Sequence, residues 1–253
     1  MILNHKVFGN PKNPAIIILH GLFGSSQNWN MICKTLSDKF HIYAVDCRNH
    51  GESFHNPSMT YKEMANDIIN LMDNVSLQKT ILIGHSMGGK ISMACAQLFP
   101  DRIEKQIIID ISPKPYANHH ESLIQALTGI RLNEYKSRSE VANALKTTIP
   151  NASLRQFLIK NISPKLPLKW CINLDGITKN YSQIMNWPNS LSNASYVSSL
   201  FIYGKKSNYV TTEDHKKIEQ IFLNTTFKSL DASHWLHAEK PIETLQLIVE
   251  FIK

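Results

Sequence analysis

The stretch that decides the fold is Ile81-Leu-Ile-Gly-His-Ser-Met-Gly-Gly-Lys90. It places the pattern Gly-x-Ser-x-Gly directly after a β-branched run and before a segment with small residues at positions 92, 94 and 96. A strand before and a helix after are the context in which the serine of this pattern is a nucleophile. Gly84 and Gly88 let the turn approach neighbouring backbone, and the helix N-terminus favours the negative charge that develops during attack. The sequence therefore predicts a nucleophilic Ser86 at the tip of a tight turn.

On both sides of this turn, short β-branched runs alternate with longer amphipathic segments, which is the pattern of an α/β fold with a mostly parallel sheet covered by helices. Several of the runs are apolar at consecutive positions, and such strands are buried on both faces. A hairpin of the first two strands is expected near residues 2–18. The other predicted strands are 15–19, 41–45, 80–83, 106–109, 200–203 and 225–229, and the predicted helices are 29–39, 60–75, 89–99, 212–223 and 241–253.

The alternation fails between Asp110 and Leu200, where helical patterns follow one another. One helix is predicted to begin at the capping-box sequence Ser137-Arg-Ser-Glu140, and another to run from 152 to 162. Residues 113–195 are therefore predicted to form an all-helical cap inserted into a core domain of residues 1–112 and 196–253. The cap holds ten Lys and Arg against four acids, in a chain of net charge +7. This excess indicates either an anionic partner or a solvated basic face.

The chain of 253 residues can bury one core plus this insertion. No basic start followed by an apolar run marks a signal peptide, and no stretch approaches the ~18 apolar residues of a membrane-spanning helix. The basic residues lack interleaved aromatics, so nucleic-acid binding is not expected. The cysteines are far apart and show no zinc pattern, which favours reduced thiols in a cytoplasmic protein; they are Cys33, Cys47, Cys95 and Cys171.

A serine hydroxyl needs a base to remove its proton, and the base needs a buried carboxylate to orient it. His234 is the predicted base because of its place in the loop between the last strand and the last helix, with His237 of the same loop as competitor. In this fold the acid can lie at the end of the strand that follows the nucleophile helix, or at the end of the next strand. The segment Gly204-Lys-Lys-Ser207 has no acid at the expected position, whereas Asp110 ends the strand after the nucleophile helix. Asp110 is therefore the predicted acid, and Asp214 is the alternative candidate.

An oxyanion formed at Ser86 needs two backbone N–H donors. Met87, the residue after the nucleophile, supplies one donor in this prediction. The second is expected from Leu22, in the loop His20-Gly-Leu-Phe-Gly-Ser25 after the first parallel strand. The side chains of Leu22 and Phe23 either line an acyl pocket or pack in the core.

With these motifs in place, the sequence resembles the small bacterial YbfF-type esterases and their mitochondrial relatives in the α/β-hydrolase superfamily. Asp46-Cys-Arg-Asn-His-Gly is the most discriminating match, although many relatives have a glycine in place of Asn49. The cap matches less well, apart from Trp170 and Asn173. The segments that carry the resemblance are 20–25, 46–53, 84–89, 110–113, 204–210 and 234–241.

The resemblance implies hydrolysis of short to medium acyl esters and of acyl-CoA thioesters. It also places the acid at Asp110 and a serine beside the histidine, at Ser207, as a fourth member of the site. Substrate contacts are expected from Phe23, His85, Trp235 and Trp170. No metal or organic cofactor is implied.

Two other functions remain open at this stage. A lyase like that of the menaquinone pathway, or a carbon–carbon hydrolase, can use the same triad of Ser86, His234 and Asp110, although the missing acid near residue 207 argues against it. A receptor that keeps the fold and triad but turns over slowly belongs to another class and has the same site residues. Epoxide hydrolases and haloalkane dehalogenases use an aspartate nucleophile, whereas residue 86 is serine.

Overall fold

A computed structural model describes residues 1–118 and 120–253. Within these residues, seven strands form one sheet. They are β1 (His5–Phe8), β2 (Ala15–Leu19), β3 (His41–Val45), β4 (Thr80–His85), β5 (Ile103–Ile109), β6 (Ser198–Gly204) and β7 (Thr225–Leu230). Their order in the sheet is β1-β3-β2-β4-β5-β6-β7. The sheet confirms the predicted α/β fold class.

The helices follow the predicted alternation with the strands. Those of the core are α1 (Asn30–Leu36), α2 (Tyr61–Asn74), α3 (Met87–Leu98), α8 (Thr212–Ile221), α9 (Leu236–Glu239) and α10 (Pro241–Ile252), and those between β5 and β6 are α4 (Glu121–Thr128), α5 (Arg138–Ala144), α6 (Ala152–Ile159) and α7 (Leu174–Met185). No helix of the described ranges is long and apolar enough to cross a membrane.

The expected hairpin near residues 2–18 is wrong. β1 pairs with β3 in antiparallel register, His5 opposite Val45, while β2 pairs with β3 and β4 in parallel. The reason lies in burial, because β2 is almost wholly buried, whereas β1 exposes Lys6 and Val7. A strand buried on both faces belongs inside the sheet, and the more exposed strand takes its edge.

The sheet separates the hydrophobic core into two layers, and successive apolar residues of a buried strand point alternately into one layer and the other. In β2, Ile17 and Leu19 pack with α2 and α3 on one face, while Ile16 and Ile18 pack with α1 and α10 on the other. Successive side chains of a strand point to opposite faces, so consecutive apolar residues satisfy both layers at once. The predicted mostly parallel sheet is confirmed by the parallel pairing of β2 with β3 and β4, of β4 with β5, of β5 with β6 and of β6 with β7.

The segment of residues 113–195, here called the helical insertion, bonds to the start of α2 and to the loop just before it. Asn180 accepts from the Met59 amide at 3.1 Å, and the Tyr61 hydroxyl donates to the Ile184 carbonyl at 2.5 Å. The Ser137 hydroxyl caps α5 by accepting from the Glu140 amide. Of the four helices between β5 and β6, α5 and α6 lie where the sequence placed helices, and the division into a core and a cap domain stays a prediction.

A buried lysine on α3 joins the insertion to the core. Lys90, which is 1% exposed, donates to the carbonyls of Lys114 at 3.0 Å, Met185 at 3.1 Å and Asn186 at 2.8 Å. Two of these carbonyls lie at the C-terminal end of α7, where a cation is favoured by the helix dipole. An ammonium group has three donors, and each has an acceptor here.

We expect Lys90→Met to lower the free energy of unfolding by about 2–4 kcal/mol, because a carbonyl left buried without its donor loses the energy of a hydrogen bond to a charged group. Urea unfolding followed by circular dichroism measures the change. Lys217→Met on the exposed side of α8 is the matched control, and its effect should stay within about 0.5 kcal/mol. Equal stabilities for the two variants would contradict this role of Lys90.

Candidate active site

The turn between β4 and α3 holds Ser86 in a strained backbone conformation, with φ 52° and ψ −117°. A Cβ atom on Gly84 would lie 2.2 Å from the Gly88 carbonyl oxygen, and one on Gly88 would lie 2.5 Å from that of Leu19. Neither position can therefore carry a side chain. The Ser86 amide donates to the Ile109 carbonyl at 3.0 Å, which ties the turn to the end of β5. This is the geometry that Gly-x-Ser-x-Gly predicts at a strand-to-helix turn.

Asp110, at the end of β5, is fully buried and accepts three hydrogen bonds. Its Oδ2 lies 2.8 Å from His234 Nδ1 and also accepts from the Ser207 hydroxyl, while its Oδ1 accepts from the Gly204 amide at 2.9 Å. A carboxylate partner makes Nδ1 the protonated nitrogen of the imidazole, so Nε2 is the basic one. The structure thus brings together Asp110, His234 and Ser207.

The His234 ring is held on two sides. Tyr209 stacks on one face at 3.8 Å between ring centroids, with 17° between the planes. On another side the His85 ring lies 4.6 Å away, and its Nε2–H donates to the His234 carbonyl at 2.9 Å. These contacts restrict both the backbone and the ring of His234. Tyr209 was missed by the sequence reasoning, although it lies two residues after Ser207.

The two alternative residues lie in different surroundings. His237 stacks on Trp29, with 4.6 Å between centroids, and burial lowers the pKa of His237 to about 4. Asp214 caps α8 through the Thr211 amide and pairs with Lys114 at 2.5 Å. The histidine that bonds to Asp110 is therefore His234, and Asp214 is engaged elsewhere.

Leu22, in the loop after β2, lines the same two cavities as Ser86. The Gly21 carbonyl accepts from His20 Nδ1 at 2.8 Å and from the Gly24 amide at 2.9 Å. In a trans peptide the N–H points opposite to the C=O, so these bonds also set the direction of the Leu22 N–H. Within the described residues neither the Leu22 nor the Met87 amide has a protein acceptor.

Ser86 opens onto two cavities. The first, here called the α6 cavity, is also lined by Phe23, His85, His234 and Trp235, together with Leu154 and Phe157 of α6. The α7 cavity contains Met87, Lys90 and Ile111, together with Tyr61, Tyr116, Ile184 and Met185. Leu22, His120 and Tyr209 border both cavities.

Three of the four predicted substrate contacts, Phe23, His85 and Trp235, line the α6 cavity. Trp170 does not, because its backbone pairs with Ile162 in the connection between α6 and α7. The walls from α6 and α7 were not foreseen, since helical periodicity indicates which residues are buried but not which of them face a cavity. Among the described residues no group of His, Cys, Asp and Glu side chains is arranged to hold a metal ion.

A strained Ser86 at the elbow, a carboxylate-bound His234 and a mostly parallel sheet define the class as serine hydrolases of the α/β fold. A family model described as "alpha/beta hydrolase fold" matches residues 14–128. The chain is 32% identical to esterase YbfF of Escherichia coli over 95% of its own length and 93% of that protein. It is 33% identical to the "sn-1-specific diacylglycerol lipase ABHD11" of Danio rerio, covering 99% of this chain and 82% of that one.

A solved structure named "Marine microorganism esterase" superposes with a TM-score of 0.95, at 37% identity and over 99% of both chains. The chain belongs to the α/β-hydrolase family, in the group of the YbfF-type esterases. The resemblance seen in the sequence is confirmed.

We expect His237→Gln to leave the acid limb of the kcat/KM profile against pH in place. Burial lowers the pKa of His237 to about 4, so this ring is already neutral over the pH range of the measurement. His234→Gln should instead lower kcat by roughly 10⁴-fold. Initial rates between about pH 5 and 9 measure both effects. A loss of kcat in His237→Gln as large as that expected for His234→Gln would assign the base to His237.

Proposed function

We propose that the protein hydrolyses carboxylic esters with short to medium acyl chains through a covalent acyl-enzyme. The observation that carries the proposal is the 2.8 Å bond between Asp110 and His234, in a cavity that His234 shares with the elbow residue Ser86. A buried carboxylate on Nδ1 keeps the imidazole in the tautomer whose Nε2 can take a proton. The names of the similar proteins, which are esterases and a lipase, agree with this chemistry.

In the proposed reaction the Ser86 Oγ forms a bond to the acyl carbon, and its proton passes to His234 Nε2. The negative charge on the former carbonyl oxygen is stabilised by the Leu22 and Met87 amides, with the N-terminus of α3 adding its dipole. The bond to the alcohol then breaks as His234 returns the proton to the leaving oxygen. A water molecule repeats the sequence, attacking the acyl carbon while His234 takes its proton, and Ser86 is released.

The two cavities suggest which part of the substrate each accepts. The leaving oxygen must meet His234 Nε2 to be protonated, and His234 lines the α6 cavity but not the α7 cavity. In this proposal the alcohol therefore occupies the α6 cavity and the acyl chain occupies the α7 cavity. Tyr61, Ile184 and Met185 line the α7 cavity, and these bulky side chains support a limit on acyl length.

A CoA thioester is the second candidate, and the basic charge of the helical insertion was the reason to consider it. Some of the ten basic side chains have partners within the molecule. Arg138 and Arg155 donate to backbone carbonyls of the insertion at 2.6 Å each, and Lys114 pairs with Asp214. Lys160 borders the groove outside the α6 cavity. An uncharged ester is therefore the favoured substrate, and kcat/KM for a CoA thioester should depend on salt no more than that for a neutral ester.

We expect Ser86→Ala to abolish labelling by a fluorophosphonate and to lower the kcat for p-nitrophenyl butyrate by roughly 10⁴-fold or more. The labelled peptide of the wild type should contain Ser86, as identified by mass spectrometry. Persistent labelling in the variant would remove Ser86 from the mechanism. Labelling of the wild type without steady-state turnover would favour the slow receptor.

We expect Met185→Ala to shift the acyl preference toward longer chains. Removing this wall of the α7 cavity should raise the kcat/KM ratio of p-nitrophenyl octanoate to butyrate by about 10-fold, since one methylene in an apolar pocket is worth a factor of that order. Leu154→Ala opens the α6 cavity and is the control, in which the ratio should change by no more than about twofold. A shift in the control instead of Met185→Ala would reverse the assignment of the cavities.

A further inference from the structure

The loop that presents the Leu22 amide contains a residue in an unfavourable conformation. Phe23 is 3% exposed and has a φ of 61°, in the left-handed region that bulky side chains rarely adopt. Such a conformation persists only where the surroundings hold it. The hydrogen bonds of the Phe23 backbone show what holds it.

On one side of Phe23, its amide donates to His50 Nε2 of the loop after β3 at 3.2 Å. The other nitrogen, Nδ1, donates to the Arg48 carbonyl at 3.0 Å, which leaves Nε2 as the acceptor. Burial lowers the pKa of His50 to about 3, so the ring stays neutral and keeps this role across the working pH range. Arg48 is itself fixed by two bonds to Asp67, at 2.6 and 2.8 Å.

From the opposite side, the Phe23 carbonyl accepts from Asn161 Nδ2 at 2.8 Å. Asn161 belongs to the helical insertion, two residues after α6, and is 5% exposed. Its amide donates to the Leu158 carbonyl at 3.0 Å, and its carbonyl accepts from the Cys171 amide at 2.7 Å. The position of Asn161 is thus set by the fold of the insertion.

We propose that Asn161 is a positioning residue through which the helical insertion holds the oxyanion loop in its working shape. With His50 on the Phe23 N–H and Asn161 on the Phe23 C=O, both peptide units that flank Phe23 are fixed. The Leu22 amide lies one peptide earlier and takes its direction from the same loop. Without Asn161, Phe23 can relax toward negative φ, and the movement strains the bond from the Gly24 amide to the Gly21 carbonyl that sets the direction of the Leu22 N–H.

The inference rests on the proposed function, since it assigns the Leu22 amide to the oxyanion. An oxyanion donor acts in the transition state more than in the bound substrate, so its displacement lowers kcat with little change in KM. Loss of one such donor costs about 10²–10³-fold in kcat. A displaced donor should cost less, and we expect a decrease of roughly 10–100-fold in Asn161→Leu.

The experiment compares the full chain with Asn161→Leu and with Asn161→Asp, which keeps the size of the side chain and removes the donor. The substrate is p-nitrophenyl butyrate, and the probe is a trifluoromethyl ketone, whose adduct with a serine carries an oxyanion. The proposal expects kcat to fall and the inhibition constant to rise in parallel in both variants, with KM within about threefold. If the leucine variant does not fold, the isosteric aspartate variant provides the test.

Asn173→Ala is the matched control. Asn173 is also an asparagine of the insertion that bonds to the core, donating to Asn49 Oδ1 at 3.0 Å, but it does not touch the loop of Phe23. Its removal should leave kcat and the inhibition constant unchanged. Equal losses of kcat in Asn161→Leu and Asn173→Ala would overturn the proposal, because they would indicate general loosening of the insertion.

A double-mutant cycle with Phe23→Gly separates positioning from a purely structural role. Glycine adopts positive φ without strain, so Asn161→Leu should lower kcat less in the Phe23→Gly background than in the wild type. Additive effects would overturn the proposal. If the wild type is labelled and hydrolyses esters but the Asn161 variants keep a normal kcat, this inference alone is refuted. Wild type without hydrolysis would refute the proposed function.

Discussion

The close approach of backbone at the turn between β4 and α3 is the constraint on which the rest of the structure depends. Because Gly84 contacts the Gly88 carbonyl and Gly88 contacts that of Leu19, α3 can pack directly on the sheet. The chain must then reverse within one residue, which gives Ser86 its positive φ and turns its side chain away from the sheet. The hydrogen bond from the Ser86 amide to β5 helps to hold this unfavourable conformation in place.

A second constraint concerns the buried carboxylate of Asp110. A charge without solvent contact needs hydrogen-bond donors, and the end of β6 supplies two of them through Gly204 and Ser207. The end of β6, which carries no acid of its own, thus supplies hydrogen-bond donors to Asp110 at the end of β5. His234 supplies the third donor, so the orientation of the imidazole and the solvation of the carboxylate are solved by the same contacts.

The helical insertion determines the space around this chemistry. Lys90 fixes the end of α7 against α3 with two of its three hydrogen bonds, and the side chains of Ile184 and Met185 line one cavity beside Ser86. On the other side Leu154 and Phe157 of α6 complete the cavity that contains His234. The reactive groups come from the core, whereas much of the wall that a substrate meets comes from the insertion.

The sequence by itself determined the α/β class, the parallel strands and the turn at Ser86, because these depend on local features: runs of apolar residues, helical periodicity and glycine where a side chain cannot fit. It also identified Asp110 and His234 by their positions at strand ends, and the structure brings the two side chains together, while their catalytic roles stay proposals. Only the tertiary structure decided that β1 pairs with β3, that Tyr209 stacks on His234 and that Trp170 lies away from the cavities. The same holds for the bond from Asn161 to Phe23, which joins residues 138 positions apart. Contacts of this kind depend on how complete elements pack against one another, and no local pattern of residues encodes that packing.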